Sequence, residues 1–168
     1  FVNLKTLIIL KPDAVRRNLT GKILDIFLSK GLRLVNLQMV TPTKTHIQEH
    51  YGKFIGKVFY PRIEKFMTSG NVVVAILEGY NAIKFTRKLI GSTNPIHAEI
   101  GTIRQQFASS IEENVIHASE FPDDVDREQK IWLNVTNNLK HMKGINKKKH
   151  KTGSDYINFR KNVKEFTI

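Results

Sequence analysis

N-V-V-V-A-I-L, residues 71–77, is the most β-rich run in the chain, and its reading decides the fold. Branched apolar residues at successive positions predict a central strand of a sheet. Working outward, Phe59–Thr68 before it has helical spacing, with Ile63, Phe66 and Met67 inward and S-G at its end. After it, the turn E-G-Y-N leads into a helix over Asn81–Ile90. Further upstream, Leu32–Val40 starts with apolar residues in alternation and reads as a second strand, and T-P-T then opens a helix over Lys44–Tyr51. Leu19–Lys30 is helical in period, with Thr20 as its cap, a stripe of Ile23, Leu24, Phe27 and Leu28, and Gly31 closing it. Thr6–Leu10 is a strand whose ladder stops at Pro12.

Downstream, Gly91–Gly101 is rich in turn formers, Asn114–His117 is a last strand, and Pro122 opens a helix reaching about Leu133. This order predicts an α+β, ferredoxin-like sandwich: a four-stranded antiparallel sheet with helices packed on it, mainly on one face.

Composition bounds what such a domain does. With 168 residues, 40% of them hydrophobic, the chain can bury one substantial core. The absence of cysteine excludes disulfides, thiolate metal sites and a Cys nucleophile, and fits a reducing compartment. F-V-N-L-K-T-L-I-I-L at the start has neither the basic flank nor the cleavage site of a secretory leader; a cytoplasmic location is expected, with an organellar one left open. Phe1 in place of an initiator Met implies residues upstream that were removed or not expressed. The net charge of +12 is uneven: residues 139–168 hold nine Lys and Arg against two acids, which is +7 of the total. A basic body suits anionic substrates, nucleic acid or an acidic membrane.

The chemistry centres on N-V-I-H-A-S-E, residues 114–120. His117 at a strand end is either a core histidine satisfied by a carbonyl or a nucleophile facing a pocket. Neither a G-x-x-x-x-G-K-[ST] loop nor a G-x-G-x-x-G turn is present, so phosphate recognition would fall to side chains. Lys11, Arg87, Thr93 and Arg104 lie at or near the ends of different elements and could converge on one site. Arg offers a planar fork to phosphate oxygens, and Lys offers a point charge. H-I-Q-E-H, residues 46–50, lacks the glutamate that a zinc-protease helix places after its first histidine, and reads as a polar helix face. Trp132 reads as a packing residue.

These segments together resemble the nucleoside diphosphate kinase family. The similarity is carried by T-L-I-I-L-K-P-D-A-V, H-Y at 50–51, F-M-T-S-G, L-E-G-Y-N-A, G-S-T-N-P, G-T-I-R, N-V-I-H-A-S-E and I-W-L, in order from Lys5 to Leu133. The resemblance implies transfer of the γ-phosphate from a nucleoside triphosphate to a nucleoside diphosphate by a ping-pong route. His117 would accept the phosphoryl group, and Glu128 would hold its other ring N–H. Lys11, Tyr51, Arg87, Thr93 and Arg104 would hold the phosphates, with Mg2+ bound mainly through the nucleotide. Asn114 and Lys11 would contact the sugar, and Phe59 and Ile111 would sandwich the base. A homo-oligomer, hexamer or tetramer, is also implied. The chain departs from the family pattern at Glu120, Phe121 and Ile100, where Asp, Ser and Pro are usual.

Two other readings stay open at this point: a nucleic-acid-binding module, and a silent scaffold of the same family. The first lacks the aromatic strand pattern of RNA-recognition domains. Every catalytic position is filled, which weighs against the second. Residues 1–138 form the expected catalytic domain, and 139–168 a basic C-terminal extension. Within the extension, Tyr156, Phe159, Val163 and Phe166 have amphipathic spacing. It either packs on a subunit or tethers the enzyme to nucleic acid or an anionic membrane.

Overall fold

The computed structural model describes residues 3–133. The expectations for the basic extension lie outside the described residues.

Four strands form one antiparallel sheet in the order β2-β3-β1-β4: β1 (Asn3–Leu10), β2 (Arg33–Val40), β3 (Val72–Tyr80) and β4 (Ile116–Ala118). The two longest apolar runs, β1 and β3, occupy the centre, where both faces of a strand leave water. The strand order is the ferredoxin-like one expected.

Helices cover both faces, which corrects the expectation of cover mainly on one. Ile8, Leu10, Val73, Ala75 and Leu77 pack against α1 (Pro12–Arg16), α2 (Thr20–Ser29), α5 (Ala82–Ile90) and α6 (Ile103–Phe107). Leu7, Ile9, Val72, Val74 and Ile76 pack against α3 (Lys44–Tyr51), α4 (Tyr60–Met67) and α7 (Pro122–Trp132). Successive side chains in a strand point to opposite faces, so an unbroken apolar run requires two cores.

Local differences from the sequence reading have local causes. Pro12 does stop β1, but it also opens α1 as the first helical residue, where a missing N–H costs nothing. Thr20 is not a cap: Leu19 occupies that position with helical backbone and no side-chain acceptor. In β2 the register slips between Leu34 and Asn36, a bulge that leaves Val35, Leu37 and Met39 on the exposed side of this edge strand. Gly31 closes α2 at φ +89°, and Gly91 leaves α5 at φ +85°, where a Cβ would also run into Thr102. The loop after Gly91 contains a 3-10 turn at Pro95–His97, capped by Asn94 accepting from the Ile96 N–H at 3.1 Å. Among the described residues no helix is long and apolar enough to cross a membrane.

Candidate active site

β4 starts at Ile116, two residues later than the apolar pattern suggests. The cause is Val115, buried and at φ +64°, where a branched side chain is strained by about 1–3 kcal/mol. The Ile116 N–H donates to the Asn114 carbonyl at 2.8 Å, which closes a three-residue γ-turn. Two contacts hold the turn: the Val115 N–H donates to Asp13 Oδ2 at 3.1 Å, and the Val115 carbonyl accepts from the Lys11 N–H at 2.9 Å. The loop after β1 thus sets the entry to β4, and His117 follows in register with Ile9.

His117 Nε2 lies 3.0 Å from each oxygen of the Glu128 carboxylate. Glu128, on α7, is buried and also accepts from the Ser119 hydroxyl at 2.7 Å. Burial pushes its carboxyl up, but the His117 contact, with weaker help from His50 and Ser119, outweighs that and leaves it below the usual carboxylate range. With Nε2–H held by the carboxylate, Nδ1 carries the imidazole lone pair.

His117 lines a cavity of about 260 Å³ together with Lys11, Tyr51, Arg87, Thr93, Arg104 and Asn114. Arg104 is held by its own chain, donating to the Gly91 carbonyl at 3.1 Å and the Ile116 carbonyl at 2.8 Å. Burial, then Arg87, lowers its pKa to about 10. Lys11 donates to Asn114 Oδ1 at 2.6 Å, and burial, then Arg104, lowers it to about 8, with Asp13 opposing. Arg87 reaches Glu120 only loosely, at 3.5 Å. Burial keeps the Tyr51 phenol neutral by raising its pKa.

A second cavity of about 520 Å³ shares Lys11, Tyr51, Thr93 and Asn114 with the first, and its walls include Phe59, Ile111, Ile63 and Phe66. The polar chamber and the apolar cleft share walls, and between them they are lined by all ten residues that the resemblance implies.

Four contributors escaped the sequence reading. Phe54 stands between Tyr51 and Phe59, with ring centroids at 6.4 and 5.4 Å, and lines both cavities. Ser119 and Asp13 act through the hydrogen bonds above. His50 is the fourth, and it corrects the reading of H-I-Q-E-H as a polar face. It is buried, stands against the His117 ring at 4.5 Å, and accepts from the Trp132 N–H at 3.0 Å. Its spacing of three from buried Ile47 was the available signal.

Fold and cavity together describe an α+β protein with a carboxylate-held imidazole at the cationic end of a cleft. The comparisons with known proteins agree. The chain matches the family "Nucleoside diphosphate kinase" over residues 4–137. It is 44% identical to the nucleoside diphosphate kinase of Methanocaldococcus jannaschii over 129 residues, 77% of this chain and 92% of that one. The crystal structure of the Encephalitozoon cuniculi nucleoside diphosphate kinase superposes with a TM-score of 0.75 at 35% identity, covering 77% of this chain and 88% of that chain. That of Aquifex aeolicus gives 0.74 at 38% identity, covering 77% and 94%. The chain belongs to the nucleoside diphosphate kinase family.

Proposed function

We propose that the chain transfers the γ-phosphoryl group of a nucleoside triphosphate to a nucleoside diphosphate through a phosphohistidine on His117. The observation that carries this reading is the engagement of Nε2 by Glu128, which leaves Nδ1 as the lone-pair nitrogen of a ring lining a cationic cavity. Nδ1 attacks the γ-phosphorus as the bond to the bridging β–γ oxygen breaks, and the diphosphate leaves with that electron pair. An acceptor diphosphate oxygen then attacks the same phosphorus, the N–P bond breaks, and the imidazole lone pair is restored. Glu128 orients the ring and stabilises it while it carries the phosphoryl group. Lys11, Arg87 and Arg104 meet the charge that spreads over the transferring oxygens, with Tyr51 and Thr93 beside them. Phe59 and Ile111 hold the base by its faces, and Lys11 with Asn114 meets the sugar.

Mg2+ suits this arrangement as a companion of the nucleotide. Of the carboxylates bordering the polar chamber, Glu128 is engaged by His117 and Ser119 and Asp124 by the Phe121 N–H and Arg127, while Glu120 is exposed and only loosely against Arg87. Carried in with the nucleotide phosphates beside Lys11, Arg87 and Arg104, the ion would supply further neutralising charge. The same proposal takes residues 1–138 as the catalytic domain of a homo-oligomer and 139–168 as a basic extension that either packs on a subunit or tethers the enzyme to nucleic acid or an anionic membrane.

Incubation with ATP and no acceptor tests the reading. The expected product is an acid-labile, alkali-stable phosphoprotein, absent in His117→Ala although that variant still binds nucleotide. A phosphoprotein that persists in His117→Ala would overturn it.

A further inference from the structure

His50, His117 and Glu128 bring their ligand-type atoms within 4.8 Å of one another, as a metal site would. Trp132 argues for a different use. An indole N–H can only donate, so the nitrogen it meets, His50 Nδ1, is an acceptor. In a neutral imidazole the proton then resides on Nε2, which has no lone pair for a metal. Burial, with His117 second, lowers the His50 pKa to about 3, so the ring is neutral across the working range. Its Nε2 lies 3.9 Å from Glu128 Oε1, on the carboxylate that holds His117. Trp132 is itself fixed, stacked on His46 at 5.1 Å, while the His46 ring caps α3 by accepting from the Thr43 N–H.

We infer that His50 is a positioning residue for the nucleophile: Trp132 locks it in the Nε2–H tautomer, and it turns that N–H dipole toward the Glu128 carboxylate while its ring backs His117. The inference deepens the proposed function and rests on it for its kinetic arm. Besides His117 and Glu128, the groups facing His50 are Tyr51 beside it on α3, Arg127 from α7 and Lys11 from the end of β1. Removing the His50 dipole leaves Glu128 with one N–H fewer to share its charge, so the carboxylate holds a protonated His117 more strongly.

Three variants test this. His50→Phe keeps a ring but offers no N–H, whereas His50→Gln keeps an amide that can accept from Trp132 and donate toward Glu128. In single-turnover phosphorylation by a nucleoside triphosphate, the acid limb of the pH–rate profile should move up by ~0.5 unit in His50→Phe and stay in place in His50→Gln. Long-range 1H–15N spectra of the intact wild-type chain should show His50 protonated at Nε2 and bare at Nδ1, with the two tautomers mixing in Trp132→Phe. An unmoved acid limb in a folded His50→Phe, or a wild-type His50 protonated at Nδ1, overturns the inference. The spectra decide it if His50→Phe fails to fold. They also separate its failure from that of the proposed function, which would show as a wild-type chain forming no phosphoprotein.

Discussion

Both oxygens of Glu128 sit 3.0 Å from a single nitrogen, Nε2 of His117. One proton faces two acceptors, so the ring is held by charge as much as by direction. Glu128→Gln keeps the shape, since its amide oxygen can accept from His117 while Ser119 turns to the Leu7 carbonyl, 3.4 Å away. What is lost is the charge. A hydrogen bond to a charged group contributes about 1.5–3 kcal/mol, so phosphorylation of His117 should slow roughly tenfold to hundredfold. Rapid-quench measurement should show this with nucleotide affinity nearly unchanged.

If Lys11 meets the phosphates as proposed, nucleotide binding should depend on pH. Burial, then Arg104, holds its ammonium group at about 8 in the empty site. A bound phosphate favours the charged form, so binding takes up a proton once pH exceeds that value. Diphosphate affinity should be flat below neutrality and fall by up to about tenfold per pH unit above about 8. Calorimetric titration across that range checks it, and Lys11→Arg should flatten the profile.

Asp13→Ala should cost more stability than a surface substitution. It leaves the buried Val115 N–H without its acceptor, at a turn already strained by φ +64°. The expected loss is about 1–3 kcal/mol by urea unfolding, accompanied by slower phosphoryl transfer as β4 loosens.

Phe121→Ser should stabilise the fold. Phe121 is the N-cap of α7, with extended backbone but no side-chain oxygen, while Asp124 already accepts from the Phe121 N–H at 3.1 Å. Serine completes the reciprocal pair, and the phenylalanine ring gives up little because it is 61% exposed. The gain should be about 0.5–1 kcal/mol, seen as a higher melting temperature with unchanged turnover.

The sheet was legible because its centre is a matter of local pattern: only a strand covered on both faces tolerates a run like V-V-V-A-I-L. The cations of the polar chamber were legible because they sit at or near element ends, marked by Pro12, Gly91 and Gly101. The supports behind them were not, because each is a contact between distant positions. Asp13 meets Val115 across 102 residues, and Trp132 meets His50 across 82. His50 sits among polar neighbours on α3; its spacing from Ile47 places it on the buried face, but the contact with α7 is what shows its partner. Val115 looked like the interior of a strand because side-chain type records β preference, while the backbone reversal at that position is held by Asp13 and the Lys11 N–H.

Lys11 has a consequence for the endurance of the empty protein. Its pKa falls from 10.5 in the open chain to about 8 when folded, so at neutral pH folding forces a charged group into surroundings that resist it. That handicap is on the order of 3 kcal/mol, complete below about pH 8, and relieved as pH climbs toward the open-chain value. Lys11→Met should therefore melt later than the wild type while handling nucleotide poorly. A laboratory selection for heat resistance alone, run without nucleotide, would erode the site from this lysine outward.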